Sequence, residues 1–388
     1  MRAPMISDGS HDESAQIRRL IADIDSLCTD DRWDAVVELR DSCRLAVARG
    51  HQWWPAAAWA EYRLALDGPG HLAAGVLEST LSRYTLGPFA EVAASTHSWD
   101  ELVAHLEPAP ASAVFAHECV ALGDDLRTDD IFRSLPAVFD VPAALQPWEP
   151  AYGPVVYHLD RVEHLAPILP DGATGGRVES RVGPGRASGP TVQTMEDQAT
   201  CEAFAAVLAP WSQTLQWSVM TVAVDGDVQD AVGVWAARTN EQCESVQVFA
   251  LPQETALRYL AWLGASGGPN GRRRGLAASR SALWWVLLQL TGIADDLDGE
   301  PVASAGPQLL ESLASALRSL HWFTWSTPTG TDKQPVVEPT LGDEFAGGTG
   351  DAGDAGDTQR GWTVHLAAVA PGEGITWLLG ADAVRTDR

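Results

Sequence analysis

WLGASGGPNGRRRGLAASRSALWWVLLQLTGI, residues 262–293, is the stretch on which the reading of the fold turns. A helix runs into a turn carrying Gly264, Gly267, Gly268 and Gly271, and three consecutive arginines follow. The next run, from Leu276, is so apolar on every side that as a helix it must be buried. Backbone freedom, clustered positive charge and a rigid support coincide nowhere else in the chain.

The flanks of this stretch mix strand and helix patterns. Upstream, WSVMTVAV (217–224) is rich in β-formers and ends at Asp225-Gly226, and SVQVFAL (245–251) alternates as a half-buried strand does. Pro252 then opens a helix over 254–263, and an earlier helix is expected over 195–208. Downstream, a helix is expected over about 307–320, and strands over 321–326, 362–368 and 375–379. Strands, then helices, then strands predict an α+β domain over 191–388 with a largely antiparallel sheet. Within it, 342–361 reads as a disordered acidic loop of low complexity, whose Asp351, Asp354 and Asp357 lack the spacing of a calcium loop.

The front of the chain reads differently. Residues 1–12 are polar and acidic and are expected to be disordered, with Asp12 capping the first helix. Ile17, Leu20, Ile21, Ile24 and Leu27 keep helical spacing, and a second helix follows from Trp33 to Gly50. A third starts at Trp54-Pro55, a fourth covers Leu72–Tyr84, Ser98–Glu101 is a capping-box sequence, and Pro110–Leu122 closes at Gly123. Short amphipathic helices in succession predict an all-α helical-repeat or bundle domain over 13–135. Between the domains, prolines at 136, 142, 147, 150, 154, 167 and 170 and the Gly-rich 171–190 read as an extended connection, with a possible strand at 157–165.

Composition narrows the function classes. With 26 Lys+Arg against 52 Asp+Glu the formal net charge is -26, so phosphate-rich surfaces are repelled and neither nucleic acid nor an anionic membrane is an expected partner. Lysine occurs once, at Lys333, and the Arg, Ala, Gly and Asp bias is that of a high-G+C bacterial coding sequence. Tryptophan, at 16 residues against 8 Phe and 5 Tyr, carries most of the aromatic packing. The five cysteines (Cys28, Cys43, Cys119, Cys201, Cys243) form no C-x-x-C pair, which implies reduced thiols and no zinc knuckle. The longest apolar run, 282–288, is too short to cross a bilayer, so a soluble, cytoplasmic protein is expected.

Arg272, Arg273 and Arg274 should fall at or just before the first turn of the buried helix. The helix dipole makes a cation there cost about 0.3–1 kcal/mol, so something negative should compensate. An anion could be held by the first-turn N–H groups and the arginine forks, with the glycines admitting close approach. The candidate anion site is Gly268, Asn270, Gly271, Arg272, Arg273, Arg274 and Arg280. The competing reading is pairing with some of the chain's own carboxylates. The turn is not a P-loop, since no G-K-[ST] follows, nor a dinucleotide fingerprint, since a helix precedes the glycines.

Other motifs are weaker. Gly264–Gly268 matches the letters G-x-S-x-G, with His321 or His365 as conceivable base and Asp295 or Asp296 as orienter, but a nucleophile elbow needs a strand before Ser266. His117-Glu118 begins like H-E-x-x-H and lacks the second histidine; His97, His117, Glu91 and Glu118 could meet between helices, though such residues more often serve inter-helix hydrogen bonds. His158 and His164 are too far apart on a strand for one ion. No metal and no cofactor is expected.

AAAWAEYRLAL (56–66), GPFAEVAASTHSW (87–99), FAHECVALGDDL (115–126), LQPWEPAY (145–152) and WLGASGGPNGRRRGLAASR (262–280) together resemble an uncharacterised actinobacterial family, a domain of unknown function. The resemblance implies a bacterial protein with a helical front half, and no catalytic assignment.

Taken together, the sequence predicts a non-catalytic interaction or regulatory protein that binds an anionic small molecule or a protein partner at the Gly/Arg turn 264–280. The alternative is an enzyme acting there on a phosphorylated or carboxylated small molecule. An enzyme should place a histidine or carboxylate beside the arginines; a binding module need not.

Overall fold

The computed structural model describes residues 9–79, 88–152, 155–157, 162–164, 178–182, 193–195, 197–208, 216–238, 246–265, 274–297, 299–326 and 361–384. The loop 342–361, apart from Gly361, the residues Gly268 to Arg273 of the turn, Ser266, Cys243 and His158 lie outside them. The chain forms two compact units, Met1–Val138 with Val155–Glu163, and Phe139–Pro154 with His164–Arg388. It therefore leaves the first unit, contributes sixteen residues (139–154) to the second, and returns before finally leaving.

The first unit is helical. Helices α1 (Gly9–Thr29), α2 (Trp33–Ala48), α3 (Trp54–Asp67), α4 (Gly70–Val76), α5 (Phe89–Ala94), α6 (Trp99–Leu102), α7 (Pro110–Ala121) and α8 (Asp130–Ser134) follow in order. The first begins ahead of Asp12. The third lies at the centre, packed against α1, α2, α4 and α5. Ten of its residues are buried, which its alanines allow: small side chains let several neighbours close in on one helix. Polar groups brought inside with it are paired, Arg63 donating to Asp25 and Asp67 at 2.7 and 2.9 Å and the Trp59 indole to Asp25 at 2.9 Å. Ser98 stands at the start of α6 as the sequence suggests, but its side chain makes no cap bond; the Trp99 N–H instead faces the Asp124 carboxylate at 3.4 Å. Pro110 opens α7 and Gly123, at φ +119°, closes it, as a left-handed residue after a helix should.

Two short strands, β1 (Val155–Tyr157) and β2 (Val162–His164), pair as a separate ribbon. The second unit is built from β3 (Val178–Val182), β4 (Gln193–Met195), α9 (Gln198–Leu208), β5 (Gln216–Asp225), α10 (Val228–Arg238), β6 (Val246–Leu251), α11 (Gln253–Ala265), α12 (Leu276–Leu290), α13 (Ile293–Asp296), α14 (Pro307–Ser319), β7 (His321–Ser326), β8 (Gly361–Ala370) and β9 (Ile375–Val384). Seven strands form one sheet in the order β3-β6-β7-β8-β9-β5-β4, and every neighbouring pair is antiparallel. The fold is α+β, a helical front followed by an antiparallel α+β unit. No helix among the described residues is long and apolar enough to cross a membrane.

Three of these elements differ from the sequence reading. Met195 belongs to β4, and the helix expected from it starts only at Gln198, where Asp197 accepts the Thr200 N–H at 3.0 Å. The strand β3 crosses what reads as linker. The helix α10 was not foreseen, although Val228, Ala231, Val232 and Trp235 keep helical spacing.

Strand alternation gives the sheet two buried faces. Val222, Val224, Val246, Val248, Trp325, Ala367 and Leu378 meet Val228, Ala231, Val232 and Trp235 of α10 on one. Gly380 lies on this face, where a β-carbon would come within 2.5 Å of Trp235 Nε1, so only glycine lets the indole lie flat on β9. Trp377 has the opposite parity. Its Nε1 donates to Asp197 at 2.7 Å, which places α9 on the second face, bundled with α11 and α12.

Candidate functional site

The helices α11 and α12 are the most extensively packed helix pair in the second unit, and small residues set their crossing. A β-carbon on Gly264 would sit 3.2 Å from Ser279, whose hydroxyl donates to the Ala261 carbonyl. Gly264 is thus inside a helix and serves close packing; it does not belong to the turn, and no strand precedes Ser266 as a nucleophile elbow would need. Twelve of the fifteen residues of α12 are buried, as its largely apolar sequence requires.

The Arg274 N–H donates to the Ala265 carbonyl at 3.1 Å, closing the turn onto the end of α11. Gly275 follows at φ 93°, ψ 167°, a conformation open to glycine, and begins α12 with no side-chain cap. Arg274, an exposed residue, donates through Nη1 to the Ala206 carbonyl at 3.1 Å, at the C-terminal end of α9, where the dipole welcomes a cation. Partial desolvation pulls its pKa down from the ordinary arginine value, and the group stays charged at neutral pH.

Arg280, the last residue of the predicted anion set, goes elsewhere. Its side chain and that of Glu149 are both 0% exposed. Nε donates to Glu149 Oε2 at 2.7 Å and Nη2 to Oε1 at 2.8 Å, a two-pronged pairing that matches fork to carboxylate. Nη1 reaches the Pro142 carbonyl at 2.7 Å and Nη2 the Ala144 carbonyl at 2.9 Å. Glu149 accepts two more bonds, from the Gln146 N–H at 2.9 Å and the Tyr152 hydroxyl at 2.8 Å. Burial, then the Glu149 charge, push the Tyr152 phenol well above its usual value, so it remains a donor. Trp148 packs on Trp284 with ring centroids 4.9 Å apart. Residues 142–152 thus surround one guanidinium, and an external anion has no access to it. The expectation for Arg280 is corrected: the chain supplies its counter-ion.

A family model described as "Family of unknown function (DUF6183)" matches residues 18–330. The chain belongs to this family. The DUF6183 match takes in the helical unit, the Arg280–Glu149 centre and the turn before α12, and stops short of β8 and β9. Comparison with curated proteins and with solved structures returned no match.

The other predicted groups are dispersed. His365 stacks on Trp325 (centroids 4.6 Å, interplanar angle 5°), packs edge-on against Trp235 at 4.8 Å, and places Nδ1 3.0 Å from the Trp325 carbonyl. By strand parity His321 shares this α10 face, so the sheet separates both histidines from α11 and α12. In the helical unit Glu91, His97, His117 and Glu118 are buried, His97 Nδ1 lying 3.1 Å from Glu101 and His117 packing edge-on against Phe132. Among the described residues no group of three or more His, Cys, Asp or Glu could hold a metal. Cys28, Cys43 and Cys119 are buried free thiols and Cys201 is partly exposed.

Sequence reasoning missed the Glu149 half of the buried centre. PWEPAY (147–152) reads as an anchor for the connection, and its carboxylate is separated from Arg280 by 131 residues. A signal was available: a lone arginine inside an otherwise apolar helix needs an acidic partner from somewhere.

Proposed function

We propose that this protein is a non-catalytic cytoplasmic binding protein, of the interaction or regulatory kind, whose ligand carries a phosphate or carboxylate group. The anion would seat at the turn before α12, against Gly268, Asn270, Gly271, Arg272, Arg273 and Arg274. One observation carries this reading: α12 starts at Gly275, which has no side chain to cap it, and the exposed residue Arg274 immediately precedes it in the chain. The positive end of a buried fifteen-residue helix and a neighbouring cation together favour a negative guest. Arg280 contributes rigidity to the support and no contact. His321 and His365 on the far face of the sheet favour binding over catalysis at this turn.

The test is thermal unfolding of the full chain against inorganic phosphate, nucleotides, phosphosugars and dicarboxylates. A saturable rise in Tm is expected for one of these classes, reporting affinity by linkage. Arg273→Ala and Arg274→Ala should retain the fold and lose that rise. If no anion shifts the wild-type Tm, the reading is wrong.

A further inference from the structure

We infer that His71 and His105 form a surface clamp for one divalent transition-metal ion of the Zn²⁺, Ni²⁺ or Cu²⁺ class. His71 stands in the first turn of α4, and His105 ends the short 3-10 turn Val103–His105 that follows α6. Both side chains are exposed, and their ring centroids lie 6.0 Å apart with planes at 65°.

The spacing fits the chemistry. A metal bonded to an imidazole nitrogen at about 2.0–2.1 Å lies about 3.2 Å from the ring centroid. Two imidazoles on one ion therefore have centroids about 5.2 Å apart at the tetrahedral angle and about 6.4 Å apart when opposed. The observed separation falls inside that interval, and turning two exposed side chains by less than about one ångström reaches the tetrahedral value. Imidazole donors select borderline transition metals over Mg²⁺ and Ca²⁺, which prefer oxygen cages. Water would complete the shell. The ion would tie the start of α4 to the segment after α6, two pieces otherwise joined by packing.

This inference is independent of the anion site. The experiment is calorimetric titration of the full chain with Ni²⁺, and separately Zn²⁺, at about pH 7.5 in excess Mg²⁺ to occupy carboxylates. One saturable site per chain is expected, with a matching rise in Tm. His71→Ala and His105→Ala should each remove it, while His51→Ala, which alters a different exposed histidine 3.9 Å from Glu13, should leave it intact. Absence of saturable binding overturns the inference, as does binding that survives loss of either His71 or His105.

Discussion

Arg274 and Arg280 stand six residues apart on either side of the start of one helix, and the fold treats them oppositely. Arg280 is 0% exposed and donates to a carboxylate and two carbonyls, all contributed by 139–154. Arg274 is exposed, and among the described residues one carbonyl lies under one of its nitrogens. The guanidinium is identical in both places. What differs is how many acceptors the chain brings to it, and that decides whether a cation is structural or open to a ligand.

The contrast is broken most forcefully at Glu149. Glu149→Ala would leave a buried, always-charged guanidinium without its counter-charge, a loss of about 3–5 kcal/mol in chemical denaturation. Replacing both partners by apolar residues of similar size, Arg280→Met with Glu149→Leu, should cost clearly less than Glu149→Ala alone, because no lone charge remains inside. If the double variant is the weaker protein, Arg280 is held by something besides this pair, and the buried centre is misread.

Next in size is Tyr152→Phe, which removes one of four donors to Glu149 while preserving shape. A hydrogen bond to a charged group contributes about 1.5–3 kcal/mol, and the remaining three donors should keep the loss near the lower end. Denaturation midpoints compared at equal m-value would show it.

A second buried carboxylate sharpens the comparison. Glu61 is also 0% exposed, yet its partners are the Ser79 hydroxyl and Arg44, whose side chain is 45% exposed. Desolvation raises its pKa from the usual 4.5, outweighing the Ser79 bond and the Arg44 charge that pull it down. A raised folded value means the native state binds that proton more tightly than the unfolded chain. This contribution is present in full below the unfolded pKa and is lost as pH rises through the folded one. Glu61→Gln should therefore flatten the fall in Tm as pH climbs from about 4.5 toward neutrality, with little effect at the acid end. An unchanged slope would remove Glu61 as its source.

How far the sequence could have foretold this is uneven for physical reasons. Helix and strand existence followed from residue spacing at α1 and β6, where one buried face writes itself into the pattern, and from a nearly all-apolar run at α12. Two misses are strands too brief to register, VESRV and QTM, whereas α10 was missed although Val228, Ala231, Val232 and Trp235 keep helical spacing. The Arg280–Glu149 pairing was not legible, since a contact across 131 residues depends on how 139–154 folds back, which no local pattern records.

The smallest expected change in stability is the one that matters most for function. Arg274→Ala removes an exposed cation holding one carbonyl, so unfolding free energy should move by less than about 1 kcal/mol, the usual range for surface substitutions of this kind. Its effect on anion-dependent stabilisation should be total if Arg274 faces the ligand. Arg274→Lys separates charge from geometry: lysine restores the cation and loses the planar fork. Partial recovery of the anion response would mean attraction by charge alone, whereas none would mean the fork itself grips the guest while Ala206 holds its other arm. A large stability loss in Arg274→Ala, comparable with Glu149→Ala, would erase the distinction between the two arginines, leaving the turn as a second structural centre with nothing to offer a ligand.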